Sequence, residues 1–204
     1  GVAQGDTADV VLGYISANAY EAGAALWPYT HRFLFNALYR RDTAEDDSAA
    51  VALMKRSFGE NFEENNPGYA TRERFGPGSR QFHCFGIVPA YFMSAYILGV
   101  RRSGDIGRRE IIIEPHLGGL AQASGAVATE LGVVRTGWND SADRFEFSLD
   151  IPCNVQAELA LPLDITRAAA LTVNGQPASC TVRGRRAVIQ LGQGKYSGAL
   201  EYVK

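Results

Sequence analysis

Three cysteines, two methionines and three histidines are all that the 204-residue chain carries of those types. Cys84, Cys153 and Cys180 make neither a disulfide framework nor a paired metal-ligand spacing. His31, His83 and His116 stand too far apart in sequence to read as a metal cluster, so no metal is expected. Charge of one sign is lacking too: 20 basic against 22 acidic residues leave a net charge of −2. That balance gives no electrostatic footprint for nucleic acid or anionic lipid. The longest nearly apolar run, 86–100, is short for a bilayer and holds Pro89, which predicts a buried helix and no membrane span. The N-terminal residues GVAQGDTADV show no basic or apolar leader region, so no signal peptide is visible. They lack an initiator Met, which fits a truncated or processed chain. GxSxG, HExxH, P-loop and post-strand GxGxxG signatures are absent. What remains is a composition with 46% hydrophobic and 21% charged residues, ordinary for a globular protein able to bury a core.

The chain changes grammar near its middle. Asp6 or Thr7 can cap a helix whose Val10, Val11, Ile15 and Ala19 share a face. Residues 24–41 predict a second, more apolar helix containing Trp27, Phe33, Leu34 and Leu38. Asp42 and Thr43 offer a cap for a third over 44–58, striped by Ala50, Val51, Met54 and Phe58. Its acidic start, Glu45, Asp46 and Asp47, complements the helix dipole. A polar stretch rich in Gly and Pro follows over 59–78, and 87–99 predicts a last helix ending at Gly99. Beyond Arg102 the period becomes two. Segments 109–115, 125–138, 144–151, 155–162 and 169–175, with CTVRG, RAVIQLG and GALEYVK, predict about eight short strands of an antiparallel sandwich. Paired helices followed by strands predict an α+β chain of two domains, 1–103 and 104–204, with the boundary in 101–108.

The richest stretch for chemistry is 67–86, PGYATRERFGPGSRQFHCFG. It holds Glu73 and His83, the arginines Arg72, Arg74 and Arg80, and the aromatics Tyr69, Phe75, Phe82 and Phe85. Loops that join helical hairpins are where sites are built. Aromatic rings beside a carboxylate and guanidinium groups suit a sugar, whose apolar face stacks while its hydroxyls are caught by polar groups. An exposed arginine-rich loop with a salt bridge and packing rings accounts for the same composition. His31, among Trp27, Phe33 and Phe35, reads as a core histidine, and His116 after Pro115 as a turn residue. Cys84 beside His83 makes a poor nucleophile pair, because adjacent side chains rarely aim at each other.

The order of these segments is familiar. FHCFGIVPAYFMSAYILGVR (82–101), followed by EIIIEPHLGGLAQASGAVATELGVVRTGW (110–138), resembles the C-terminal portion of family 78 glycoside hydrolases, the α-L-rhamnosidases. WPYTHRFLFNALYRRD (27–42) and the helix through Phe58 resemble the preceding hairpin of that family's barrel. Ala70, Thr71 and Glu73 resemble its glutamate-bearing segment, with Arg72 immediately before Glu73. The resemblance implies the last helices of an (α/α)6 barrel followed by a β-sandwich, and inverting hydrolysis of terminal α-L-rhamnosides. It implies Glu73 as general base, with His83, Arg72, Tyr69, Phe75 and Phe85 as sugar contacts. It implies a carbohydrate as partner, and a general acid in an upstream barrel segment that nothing in this chain resembles. The chain alone is then expected to be inactive without the rest of that barrel, in the same or another polypeptide. The arginines near Glu73 would suit an acidic, uronate-bearing aglycone. A non-catalytic carbohydrate-binding or structural module is the alternative, as is another (α/α)6 glycosidase or lyase.

Overall fold

The computed structural model describes residues 4–18, 28–59, 84–104 and 107–202, with the side chains at 16, 17 and 85 left out. Two compact units follow in order, Gly1–Phe92 and Met93–Lys204. Val100–Arg102, at the start of the expected boundary region 101–108, is a strand paired with the segment 111–113.

In the first unit, α1 is Gly5–Asn18, α2 is His31–Arg41, α3 is Ala44–Phe58 and α4 is Val88–Phe92. A 3₁₀ turn at Pro28–Thr30 leads into α2, so the regular helix starts later than the expected residue 24. Pro28, with no N–H to give, belongs at such a start. Residues 24–27 lie outside the described ones. Asp42 ends α2 in the left-handed region (φ 49°), and its N–H reaches the Tyr39 carbonyl. Thr43 then caps α3: its hydroxyl oxygen accepts the Asp46 N–H at 3.1 Å while the hydroxyl donates to the Asp46 carboxylate at 2.8 Å. Arg41 binds that carboxylate as well, at 2.8 Å, and Asp9 of α1 at 2.5 Å. The expected stripe of α3 is buried in full, at Ala50, Val51, Met54 and Phe58. The stripe of α1 is not: Val10 is 72% exposed, Val11 is exposed and Ile15 only half-buried.

The second unit opens on a π turn, Met93–Ile97, closed by the Leu98 N–H on the Met93 carbonyl at 2.8 Å. The predicted helix over 87–99 is thus broken into 3₁₀, α and π pieces. It stops at Gly99 (φ 81°), where a Cβ would collide with the backbone of Glu114 and Pro115, so only glycine fits.

Eleven strands follow among the described residues: β1 Val100–Arg102, β2 Glu110–Ile113, β3 Gln122–Thr129, β4 Gly132–Asp140, β5 Arg144–Ile151, β6 Gln156–Pro162, β7 Ala169–Val173, β8 Gln176–Pro177, β9 Thr181–Arg183, β10 Arg186–Leu191 and β11 Gly194–Tyr202. They form one sheet in the order β1-β2-β6-β10-β9 and another in the order β3-β4-β5-β11-β7-β8. The expected β-sandwich is therefore present. Its pairing is antiparallel except at β2 and β6, which run parallel with Ile111 opposite Ala157. The reason lies in the connection: between β2 and β6 the chain leaves for the other sheet, builds β3, β4 and β5 there, and returns. Strand β5 alternates strictly, burying Phe145, Phe147, Leu149 and Ile151 and turning Arg144, Glu146, Ser148 and Asp150 outward. Asn174 and Gly175, both with positive φ, make the tight turn from β7 to β8.

One buried cation ties the first sheet together. Arg186 on β10 is 2% exposed. It donates to the Pro115 carbonyl at 2.7 Å, lies 3.4 Å from His116 Nδ1 and 3.5 Å from Glu114 Oε1. Glu114 also pairs with Arg101, whose guanidinium sits 4.7 Å over the Tyr96 ring and donates to the Ala95 carbonyl. The Tyr96 ring packs edge-on against His116. His116, expected as a turn residue, is therefore a buried member of this network.

Two predictions follow from the second unit. Arg186→Ala leaves the Pro115 carbonyl without its donor and empties the space of a side chain only 2% exposed, while Glu114 keeps Arg101; it costs about 2–4 kcal/mol of unfolding free energy in a urea titration; a loss below about 1 kcal/mol would contradict the role given to it. Burial pushes the Asp140 carboxyl above its ordinary value. A raised folded value means the native state holds its proton more tightly than the unfolded chain, so this group costs stability as the pH rises through the window above 3.8. Asp140→Asn is expected to raise the Tm at pH 7 and to leave it unchanged near pH 3; an equal shift at both values would contradict the assignment.

Candidate functional site

The loop that carries the chemistry in sequence is anchored at both ends in the first unit. It leaves α3 after Phe58 and Gly59, and the described chain resumes at a 3₁₀ turn, Cys84–Ile87, which runs into α4. Phe35 of α2 touches both anchors: its ring centroid lies 6.3 Å from that of Phe58 and 5.0 Å from that of Phe92. Tyr39 stacks on Phe92 at 6.1 Å, and His31 meets Phe58 edge-on at 5.4 Å. His31 is fully buried with its Nε2 3.2 Å from the Ser57 hydroxyl, the core histidine expected of it. The scaffold at the two ends of the loop is a dry cluster of rings.

Glu73, Arg72, Tyr69, Phe75 and His83 lie outside the described residues. The backbone of Phe85 belongs to the 3₁₀ turn, and its side chain is outside the described ones. Cys84 at the head of the turn is exposed, as are Cys153 and Cys180. Acidic Glu45, Asp46 and Asp47 sit in the first turn of α3 as the dipole argument requires.

Beside the loop's return lies a pocket of about 360 Å³ lined by Arg32, Asn36, Val88, Tyr91 and Phe92. Two helical stripes make it. Arg32 and Asn36 are one turn apart on α2, with the Asn36 amide donating to the Arg32 carbonyl at 2.9 Å. Val88 and Tyr91 are one turn apart on α4, and Phe92 forms the floor where it packs on Phe35. Tyr91 is 58% exposed, and the Arg32 guanidinium lies 5.4 Å over the Phe33 ring at the rim. Sequence reasoning missed this pocket. Its only signal was the i, i+4 pairing of a cation with an amide on a helix read for its apolar face.

The second unit has an open groove of about 550 Å³ on the outward face of β3, β4 and β5. Gln122, Ser124, Asn139, Glu146 and Ser148 line it, and Gly137 lies between Ser124 and Ser148 in register. Asn139 donates to Glu146 at 3.3 Å, and Arg144 pairs with the same carboxylate. Trp138 touches the groove from beneath, since its indole N–H donates inward to the Ile97 carbonyl at 2.8 Å. No helix among the described residues is long and apolar enough to cross a membrane.

Residues 99–175 match the family model described as the bacterial alpha-L-rhamnosidase C-terminal domain. A curated alpha-L-rhamnosidase of Alteromonas sp. (strain LOR) is 29% identical over 113 residues, 53% of this chain and 12% of that protein. Among solved structures, the alpha-L-rhamnosidase of Dictyoglumus thermophilum superposes with a TM-score of 0.70 at 22% identity, covering 83% of this chain and 20% of that one. The Aspergillus terreus enzyme gives 0.62 at 19%, covering 95% and 21%. At those identities the solved structures establish the fold. This chain thus spans between about an eighth and a fifth of the length of the relatives it matches. Residues 99–175 are thus similar to the C-terminal domain of bacterial alpha-L-rhamnosidases, and the chain as a whole resembles the C-terminal portion of such enzymes.

Proposed function

We propose that this chain supplies the C-terminal part of an inverting glycoside hydrolase that removes terminal α-L-rhamnose. The observation that carries this reading is the family match of residues 99–175. The helical unit supports it independently. Val10 and Tyr14 on α1 are 72% and 70% exposed, and Phe33 on α2 is 61% exposed. Large apolar side chains in that number on neighbouring helices ask for a cover. Further hairpins of an (α/α)6 barrel, in the same or another polypeptide, would provide it.

In this reading Glu73 is the general base. Its carboxylate takes a proton from a water molecule as the water oxygen attacks the anomeric carbon. The bond from that carbon to the aglycone oxygen breaks on the opposite face, and a carboxylic acid from the remaining barrel protonates the departing oxygen. The two carboxyl groups need a separation of about 6.5–9.5 Å to admit the water between them. His83, Arg72, Tyr69, Phe75 and Phe85 would hold the sugar, the rings against its apolar face and the polar groups on its hydroxyls. No cofactor enters such a reaction. Without the acid-bearing segment, the chain is expected to leave rhamnosides intact.

A second reading, a non-catalytic carbohydrate-binding module, draws on the polar groove over β3, β4 and β5. Its amides, serines and carboxylate suit hydroxyl groups. The two readings separate on one substitution. In the complete enzyme, Glu73→Gln is expected to lower kcat on an aryl α-L-rhamnoside by about 10²-fold or more. Unchanged turnover would remove Glu73 from the chemistry.

A further inference from the structure

We infer that the pocket between α2 and α4 is a subsite for an acidic sugar residue, held by Arg32, Asn36 and Tyr91. The inference rests on the glycosidase reading for the class of ligand, and on the pocket's own chemistry for its charge. At about 360 Å³ the pocket lies near the lower end of the size range of small-molecule sites, room for a single sugar ring.

Three chemically distinct walls converge on it. Tyr91 offers an exposed ring face, the platform on which the C–H face of a pyranose stacks. Asn36 lies half-buried one turn from Arg32, and the carbonyl oxygen of its side chain can accept from a hydroxyl while its amide nitrogen donates to the Arg32 carbonyl. Arg32, exposed at the rim, presents a planar fork that matches a carboxylate. Val88 and Phe92 complete an apolar wall and floor against the dry cluster of Phe35 and Tyr39.

The guanidinium decides what can occupy the pocket. An apolar helix packed over it would take Arg32 out of water without a counter-charge, which is costly. A neutral sugar would gain the stacking and leave the guanidinium with only water and the Phe33 ring. A uronate-bearing sugar answers both, placing its ring on Tyr91 and its carboxylate on Arg32.

Calorimetric titration of the complete enzyme with methyl β-D-glucuronide and methyl β-D-glucoside tests this. The glucuronide is expected to bind about tenfold or more tighter than the glucoside. Arg32→Gln is expected to bring the two sugars to within about twofold of each other, and Tyr91→Ala to weaken both, with Tm unchanged because both side chains are exposed. No measurable glucuronide binding, equal binding of the two sugars, or a preference that survives Arg32→Gln would each overturn the subsite. The result is independent of turnover: a protein that selects the glucuronide yet hydrolyses no rhamnoside in its complete form would keep the subsite and lose the glycosidase reading.

Discussion

A single buried guanidinium organises the second unit of the chain. Arg186 reaches from β10 to the residues just past β2, and one fork serves a carbonyl, an imidazole and a carboxylate. A charge taken out of water is tolerable only if its donors are answered, so the backbone at Glu114, Pro115 and His116 has to lie where it does. That placement lets the His116 N–H bond the Tyr96 carbonyl at 2.9 Å and brings Glu114 against the backbone at Gly99. The start of the sandwich, from the π turn through β2, is thereby fastened to its far strands. The stretch 110–118, which looked like a strand and a turn, is the hinge pin of the domain.

Much of this architecture is legible in the residues, and the failures have local causes. Strict alternation at 144–151 reads directly as β5, because one face meets a core and the other meets water. Thr43 three residues before Asp46 reads as a cap and is one. The parallel pairing of β2 with β6 is not legible, since period two is the same for either direction and only the excursion of β3, β4 and β5 to the other sheet sets it. Nor is the break of 87–99 into three helical forms, because an apolar run says only that it is buried. The exposed stripe of α1 is a different kind of miss. Val10 and Val11 have the spacing of a core face, and the face exists, but what covers it is not in the described residues.

The candidate site divides along the same line. His31 was legible as a core histidine from its aromatic neighbours, and the ring cluster that holds both ends of the glutamate-bearing loop confirms that assignment. Glu73 and its companions were singled out by residue type within a loop between helices, and they lie outside the described residues. The pocket of Arg32, Asn36 and Tyr91 escaped notice for a physical reason. Its walls come from helices fifty residues apart in sequence, and each wall alone is an unremarkable polar or aromatic position. Composition can nominate a loop, whereas a groove between helices exists only after packing.

Under the proposed function, the complete protein would cleave a terminal α-L-rhamnoside by a single displacement with water. The anomer released first reports this directly. A proton NMR time course of an aryl α-L-rhamnoside with the complete enzyme should show β-L-rhamnose appearing first and the α-anomer growing in only by mutarotation. If α-L-rhamnose appears first, the displacement is double and the roles assigned to Glu73 and the water are wrong.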